Sequence, residues 1–364
     1  MATKALEEHR IKEIRTLRVS SRYTRTIGRN SRIKNHGDGP NSQIRVVTTD
    51  RGVTGWGISW IPDEKIPVLT GRPVAELFDP AVGVIADEAM PLDFALHDLA
   101  GVILGLSVSQ MLGGNGESAI PCYDGAIYME DLVPEESPRG IAAIIESCRS
   151  DYEMGYRAFK IKIGRGYQWM SPEEGFRRDI DVTCAVCENF PDCRILVDVN
   201  DAYTCGDTIR YMEAVADCNI FWIEEPFQEN RDDLLKLKEY LARKSPDTLI
   251  ADGESALDLN FLLELAREEL LDVLQMDIAG WGFTRWRRTM PELIKAGVAA
   301  SPHTWGDPLK VYYSAQLAAG MGNILALEGI PSKTYGADVR LYRLVEGVLY
   351  VPEKSPGFGM RLGN

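Results

Sequence analysis

Hydrophobic and polar positions follow two rhythms along this chain, and the change comes near residue 120. Before it, IKEIRTLRVS reads as a strand, and a polar stretch from Ser20 to Gln43, rich in Arg, Asn and Gly, reads as a loop. IRVVTTDRGVTGWGISW then predicts a hairpin, because Asp50-Arg51-Gly52 supplies turn residues between alternating runs. In PLDFALHDLAGVILG, Leu92, Leu96, Leu99 and Ile103 share one helical face. Strands followed by helices predict a small α+β domain.

After residue 120 short β-rich segments recur: AIPCYDGAIYM, AFKIKIG, ILVDVN, IFWIEEP, TLIADGE, VLQMDI, GVAASPH and ILALEGI. Helical patterns such as GIAAIIESCRSDYEMG and DDLLKLKEYLARK lie between them. This α/β alternation is the repeat of a parallel TIM barrel. A doubly wound open sheet competes, but no Gly-rich phosphate fingerprint accompanies the repeats, which favours the barrel. From about Ser332 onward the chain is loop-like with short apolar pieces. The expected division is an α+β domain over 1–118, a barrel over 119–331, and a segment over 332–364 that returns to the first domain.

Composition narrows the function classes. A chain of 364 residues with 45% hydrophobic and 26% charged positions suits a soluble protein with one large barrel or two domains. A formal charge of −14, without basic patches or tails, argues against nucleic acid or an anionic membrane as partner. The N-terminal MATKALEEHRIKEIR lacks a signal-peptide core, and no apolar run is long enough to span a bilayer, so a cytoplasmic protein is expected. Seven scattered cysteines fit a reducing compartment. Cys184 and Cys187 form a C-x-x-C inside a helical stretch, with no second pair or nearby histidine, and read as helix packing.

The chemistry concentrates where barrel strands end, which is where this fold builds its sites. Lys160 and Lys162 lie two apart in AFKIKIG and so share a strand face, opposite Phe159, Ile161 and Ile163. On an interior face, mutual repulsion and burial would lower their pKa values toward the range of a base; on an edge strand they would simply be solvated. Asp198, Glu224 and Glu254 end three consecutive strands, and three carboxylates at one mouth require a counter-charge. Oxygen-only ligands point to Mg2+. Alternation alone leaves Glu225 open beside Glu224, and places Asp252 on the same face as Glu254. Asp277 and His303 end the sixth and seventh strands, where a carboxylate would fix an imidazole as an acid or base. Glu328 ends the eighth strand and can orient a neighbour or, if protonated, donate to a substrate carboxylate. Of the other histidines, His9 and His36 fall in the N-terminal strand or loop and His97 on a helix; these read as structural.

The ordered set of K-x-K, D-x-N, WIEEP, the strand-five GE, the strand-six Asp and the strand-seven His resembles the mandelate racemase subgroup of the enolase superfamily. DFALHDLAGVILGLSVSQMLGG likewise resembles the close of that family's capping domain. The resemblance implies an N-terminal α+β capping domain over a modified (β/α)7β barrel. It implies Mg2+ on Asp198, Glu224 and Glu254, and Lys162 as base with Lys160 beside it. It further implies His303 paired with Asp277 as the opposite acid/base, Glu328 bonded to the substrate carboxylate, and Asn200 in contact with substrate. A homo-oligomer is expected by the same analogy. One departure is IAGWGFT after Asp277, shorter than the family's Gly-Gly-containing turn.

Bases on both faces permit either racemisation or elimination. Dehydration of a sugar acid is the favoured expectation, because the motif set is commonest in such dehydratases and the polar loop carries Arg22, Arg25, Arg29 and Arg32, which suit a polyhydroxylated substrate. The alternatives are a racemase or epimerase, a Schiff-base aldolase using Lys160 or Lys162, and a non-catalytic sugar-acid-binding relative.

Overall fold

A computed structural model of the chain describes residues 2–255 and 258–363. The predicted barrel is present as eight parallel strands: Ala119–Ile127, Ala158–Lys162, Arg194–Asp198, Ile220–Glu224, Leu249–Asp252, Val273–Leu274, Ala299–Ala300 and Leu327–Gly329. Each pairs with the next, and the eighth pairs back onto the first. The seventh and eighth meet through Ala300, whose amide donates to Asn323 and whose carbonyl accepts from Leu325. The sheet is closed.

Strand alternation sorts the barrel interior into layers. Tyr123, Leu196, Trp222, Ala251, Val273 and Ala326 form an apolar floor. Two residues further along the third, fourth and eighth strands stand Asp198, Glu224 and Glu328, all fully buried. Side chains two apart share a face, so the charged layer sits directly above the apolar one. The outward positions Phe159, Ile161, Ile195, Val197 and Ile223 pack under the surrounding helices.

The capping domain is an antiparallel sheet of Ile11–Tyr23, Asn41–Thr49 and Thr54–Ile58, with the Asp50–Gly52 turn where the sequence predicts it. Both faces of this sheet are covered. Ile44 and Val46 join the core shared with the barrel, whereas Val47 joins a second core with Leu96 and Leu99 of the helix Asp93–Leu104. That helix lies so close that a Cβ on Gly55 would stand 2.2 Å from the Leu99 nitrogen, so only glycine fits there. The C-terminal stretch divides its contacts. Ser332–Tyr335 adds a strand beside Ser20–Tyr23, while the hairpin Arg343–Val345/Val348–Tyr350 pairs with the start of the first barrel strand. Cys184 and Cys187 lie on the helix Pro172–Asn189 with free thiols, packed against the barrel core. No helix among the described residues is long and apolar enough to cross a membrane.

One carboxylate ties three of these parts together. Asp98 accepts from the Trp56 amide at 2.9 Å and from the Phe358 amide at 2.8 Å, joining helix, sheet and C-terminal segment. Burial pushes its carboxyl up to about 7 against the pull of those two amides. The folded-state value lies above the unfolded one of about 4. Its favourable contribution is therefore complete at low pH and is lost as pH rises toward the folded value. Asp98→Asn, which cannot ionise and misplaces one donor, should cost roughly 1–3 kcal/mol at about pH 5. The penalty relative to wild type should shrink at about pH 8; chemical denaturation at the two pH values checks both.

Candidate active site

The second strand places Lys160 and Lys162 on the interior face, and both are buried. Lys160 Nζ donates to Glu224 Oε1 at 2.6 Å and lies 2.7 Å from Glu328 Oε1 and 3.3 Å from Asp198 Oδ2. Lys162 Nζ pairs with Asp198 and donates to Asn200 Oδ1 at 3.2 Å. The two ammonium groups also lie over aromatic rings, Lys160 above Tyr123 at 5.7 Å and Lys162 above Tyr128 at 5.3 Å. Burial opposes charge on both lysines, but the facing carboxylates outweigh it and raise both pKa values. This reverses the expectation of a lowered value. The sequence shows two neighbouring cations, and the fold surrounds them with more anions than cations.

Asp198, Glu224 and Glu254 each present an oxygen within 4.8 Å of the others. The two rival ligand choices, Glu225 and Asp252, have structural answers. Glu224 points inward with Trp222, accepting from Trp222 Nε1 at 3.2 Å and Gln275 Nε2 at 2.9 Å. Glu225 takes a left-handed backbone, φ 41°, and turns away to accept from Asn200 Nδ2 and the Ser255 amide, each at 3.1 Å. Asp252 does not share the face of Glu254. Ala251 belongs to the interior floor, so alternation turns Asp252 to the opposite side, where it accepts from the Gly253 amide at 2.6 Å. Gly253, at φ 118°, then breaks the alternation and the chain delivers Glu254 to the mouth. The donor set fits a hard dication: it is all oxygen, it is crowded, and Glu254 Oε2 is buried without a partner. Burial raises Glu224 to about 8, with Asp198 and Glu328 adding to it against the pull of Lys160, the mark of carboxylates short of positive charge.

His303 and Asp277 lie beyond the two-residue sixth and seventh strands rather than at their last positions, joined by an isolated parallel bridge. The short turn after Asp277 does not prevent the contact. Asp277 caps the helix Ile278–Trp281, accepting from Ala279 and Gly280 amides with Oδ1, which leaves Oδ2 for His303 Nδ1 at 2.9 Å and Lys310 Nζ at 2.6 Å. Burial disfavours its charge, yet His303 and Lys310 hold it below the usual carboxylate range. With Nδ1 donating to Asp277, His303 Nε2 faces Glu254 Oε1 at 3.2 Å. Burial opposes protonation of His303, and Glu254, Glu328 and Asp277 together raise it to about 9. Glu328 Oε2 accepts from the Thr304 and Trp305 amides at 2.7 and 2.9 Å, and Lys160 with His303 outweighs burial to hold it at about 2. It therefore stands as an ionised acceptor that orients Lys160, not as a protonated donor. Room for it comes from Gly125, where a Cβ would meet Glu328 Cγ at 2.8 Å.

Two expected residues are not brought here. Arg22 lies on the outward phase of its strand, exposed, opposite Lys333. Arg25 is drawn away by buried acids, lying 2.7 Å from Asp151 Oδ2 and donating to the Ala126 carbonyl at 2.8 Å. Arg29 pairs with Glu135, and Arg32 donates to the carbonyls of Asn200 and Asp201 at 2.6 and 3.1 Å, pinning the loop to the turn that holds Asn200. The loop instead offers Tyr23 and His36. Tyr23 stacks on Trp305 with centroids 5.2 Å apart, and His36 meets Tyr128 edge-on at 4.6 Å. Both fall in the stretch that reads as loop and carried no signal; the strand in fact runs on to Tyr23.

Glu254→Gln should weaken divalent-cation binding by roughly ten- to a hundredfold in a calorimetric titration. Asp252→Asn should change it far less, since that carboxylate faces away.

Residues 143–363 match the family described as Enolase C-terminal domain-like. Galacturonate dehydratase from a Geobacillus species, solved with D-galacturonate and 5-keto-4-deoxy-D-galacturonate, superposes with a TM-score of 0.90 at 32% identity over 98% of this chain and 95% of that one. A mutant of the same enzyme, solved with Mg, superposes at 0.91, with 32% identity over 98% of this chain and 93% of that one. D-xylonate dehydratase of Haloferax volcanii is 26% identical over 349 residues, 87% of this chain and 82% of its own length. D-galactarolactone cycloisomerase of Agrobacterium fabrum is 28% identical over 232 residues, 63% of this chain but only 57% of its own length. The extent of the family match and the end-to-end superposition agree with the geometry: the chain belongs to the enolase superfamily, in its mandelate racemase subgroup.

Proposed function

We propose that this protein is a magnesium-dependent acid-sugar dehydratase, a hydro-lyase that converts a sugar acid to its 2-keto-3-deoxy product. The observation that carries this reading is the meeting, in one mouth, of a three-carboxylate cradle, a lysine pair and an Asp-supported imidazole. The galacturonate dehydratase was solved with a 5-keto-4-deoxy compound. Counted from the acid end of a uronate, that is a ketone beside the carboxylate and a deoxygenated carbon next to it. The pattern fits loss of the proton beside the acid group and of the adjacent hydroxyl.

The obstacle is electrostatic. Removing that proton puts a second negative charge on a carboxylate, so the carbon acid is weak until the charge is stabilised. Asp198, Glu224 and Glu254 are the residues that would hold Mg2+. Bound there, the ion neutralises carboxylates otherwise paired with the lysines and stabilises the charge developing on the substrate acid. Lys162 Nζ would take the proton in its neutral form, which a cation held on Asp198 would favour by engaging the carboxylate that otherwise raises the pKa of this amine. Lys160, anchored by Glu224 and Glu328, keeps positive charge beside the site where negative charge grows. Asn200 sets the Lys162 amine through Oδ1 while its own amide is fixed on Glu225.

His303 acts from another direction, since strands two and seven are not neighbours. Asp277 fixes Nδ1 as a donor, so the proton available to the departing hydroxyl sits on Nε2. The electron pair of the C–H bond becomes the new double bond, and the C–O pair leaves with the hydroxyl as water. The enol product then tautomerises to the ketone. On the same reading the protein works in the cytoplasm as a homo-oligomer on small carboxylates, with neither nucleic acid nor membrane as partner.

Groups on two sides of the mouth would also serve a racemase or epimerase, and one experiment separates the readings. With Mg2+ and a panel of mono- and diacid sugars in heavy water, the expected product is a 2-keto-3-deoxy acid. Deuterium in recovered substrate without a keto product would establish racemisation or epimerisation instead. Borohydride labelling of a lysine, with activity that survives chelation, would point to the aldolase. Lys162→Met and His303→Asn should each lower kcat by roughly 10²–10⁴, and both should still bind Mg2+ in calorimetry.

A further inference from the structure

The seven cysteines are scattered along the chain, but the fold gathers three of them at the end of the barrel opposite the mouth, where the strands begin. Cys184 and Cys187 lie three apart near the end of the helix Pro172–Asn189, so their side chains share a face. Cys218 ends the single helical turn Ala216–Cys218, which leads into the fourth strand. The Cys187 thiol donates to the Cys218 carbonyl at 3.8 Å, and the thiols of Cys187 and Cys184 both reach that of Cys218. The C-x-x-C does not reveal this cluster, because its third thiol comes from a different element.

The other four cysteines are placed apart. Cys122 and Cys148 are buried, Cys205 donates to the Asp233 carbonyl at 3.4 Å, and Cys193 follows the helix with Arg157 and Asp192 as its charged neighbours. Cys184, Cys187 and Cys218 pack against the core yet remain partly exposed. The frame around them is fixed. One residue before Cys184, Thr183 Oγ1 and Tyr211 OH lie 2.7 Å apart, both buried, which locks this helix to its neighbour Cys205–Ala214. The Cys218 amide donates to the Val215 carbonyl at 2.9 Å, and Asn219 takes a left-handed backbone, φ 47°. With both backbones pinned, rotation of the side chains is the freedom left to bring two sulfurs together. Burial raises the Cys184 thiol to about 11, and Cys187 together with burial raises that of Cys218. Both are protonated at neutral pH and exchange faster as pH rises.

We propose that Cys187 and Cys218 form a reversible disulfide by exchange with a low-molecular-weight disulfide, with Cys184 able to replace Cys187, and that the bond braces the base of the barrel. In the exchange one cysteine loses its proton and attacks the small disulfide, whose S–S bond breaks and releases one small thiolate. The second cysteine, likewise deprotonated, attacks the protein sulfur of the mixed disulfide and releases the other. The two small thiolates take up the two protons. Two protein thiols are thus oxidised by two electrons in all, and one small disulfide is reduced to two thiols. The closed loop contains the third strand, which carries Asp198, and stops at Cys218, just before the fourth begins at Ile220 and runs to Glu224. Such a bond restricts the unfolded chain around two strands of the carboxylate cradle. A bond between Cys184 and Cys187 would tie one helix only to itself.

The test uses the full-length protein equilibrated with oxidised glutathione at about pH 8.5, where more of each thiol is ionised, then alkylated and digested without reduction. Peptide mass spectrometry should find Cys187 joined to Cys218, and thiol titration should lose two of the seven groups, with dithiothreitol restoring them. The oxidised form should unfold roughly 5 °C above the reduced form. Cys187→Ser should move the link to Cys184, Cys218→Ser should abolish it, and Cys193→Ser should leave it unchanged. All seven thiols remaining free, glutathione retained as a stable mixed disulfide, or a link between Cys184 and Cys187 would overturn the proposal. So would an oxidised form that unfolds at or below the midpoint of the reduced one. Mapping on the wild type decides the bond even where a variant fails to fold.

Discussion

Four carboxylates, Asp198, Glu224, Glu254 and Glu328, are held above an apolar floor in a closed barrel, and the rest of the site is organised by the need to balance them. Like charges so close in a low-dielectric interior cannot all ionise alone. The fold supplies the opposing charges from two sides, the lysine pair on one strand and His303 from another. It adds fixed dipoles: Glu328 rests on two backbone amides and Glu224 on the indole of Trp222 and the amide of Gln275. Remove the carboxylates and the lysines become buried cations without partners. Remove the lysines and the carboxylates repel. The arrangement is strongly coupled, and a divalent ion enters it by competing for oxygens that the amines already hold.

The barrel's alternation makes that coupling reproducible. Leu196, Trp222, Val273 and Ala326 of the floor each have a charged or polar counterpart two positions on, Asp198, Glu224, Gln275 and Glu328, so one register decision on each of these strands places both layers. Exceptions occur where a side chain must depart from the phase of its strand. Glu225 and Gly253 take left-handed backbone conformations, one to turn a surplus carboxylate out and the other to bring Glu254 in. Asp277 does two jobs with two oxygens, capping a helix with Oδ1 and holding His303 and Lys310 with Oδ2.

Much of this was legible in the chain because it follows a period. The eight strands, the inward Lys160 and Lys162, and Asp198 of the third strand come from spacing of two, whereas Glu224 needed the fold to separate it from Glu225. The misreadings arise where that rule stops. Asp252 and Glu254 share a parity on paper, but Gly253 breaks it. The lysines' pKa values were misjudged because a strand displays its own neighbours, while the fields that govern Lys160 come from Glu224 and Glu328, far away in sequence. Arg22 was read as part of a loop, but it lies in a strand that runs on to Tyr23, exposed and opposite Lys333. Arg25 failed because Asp151, on a helix whose orientation no local pattern reveals, captures it. His36 lies in a loop, where only the closed fold says what faces what.

The division of labour between the two domains follows from these rigidities. The charged layer sits in a closed sheet and cannot change without disturbing several partners at once, so it suits a chemical step shared by many substrates. The capping loop meets the same cavity but is held by a few backbone bonds and the contacts of Arg32 and Ser31 to the third-strand turn. Residues there can differ without altering the carboxylate balance below. A site built this way separates what reacts from what is recognised: the acid end of a substrate meets the buried charges, and its far end meets whatever the loop presents. In this chain the loop presents Tyr23 and His36, set against the rings of Trp305 and Tyr128 that rise from the barrel.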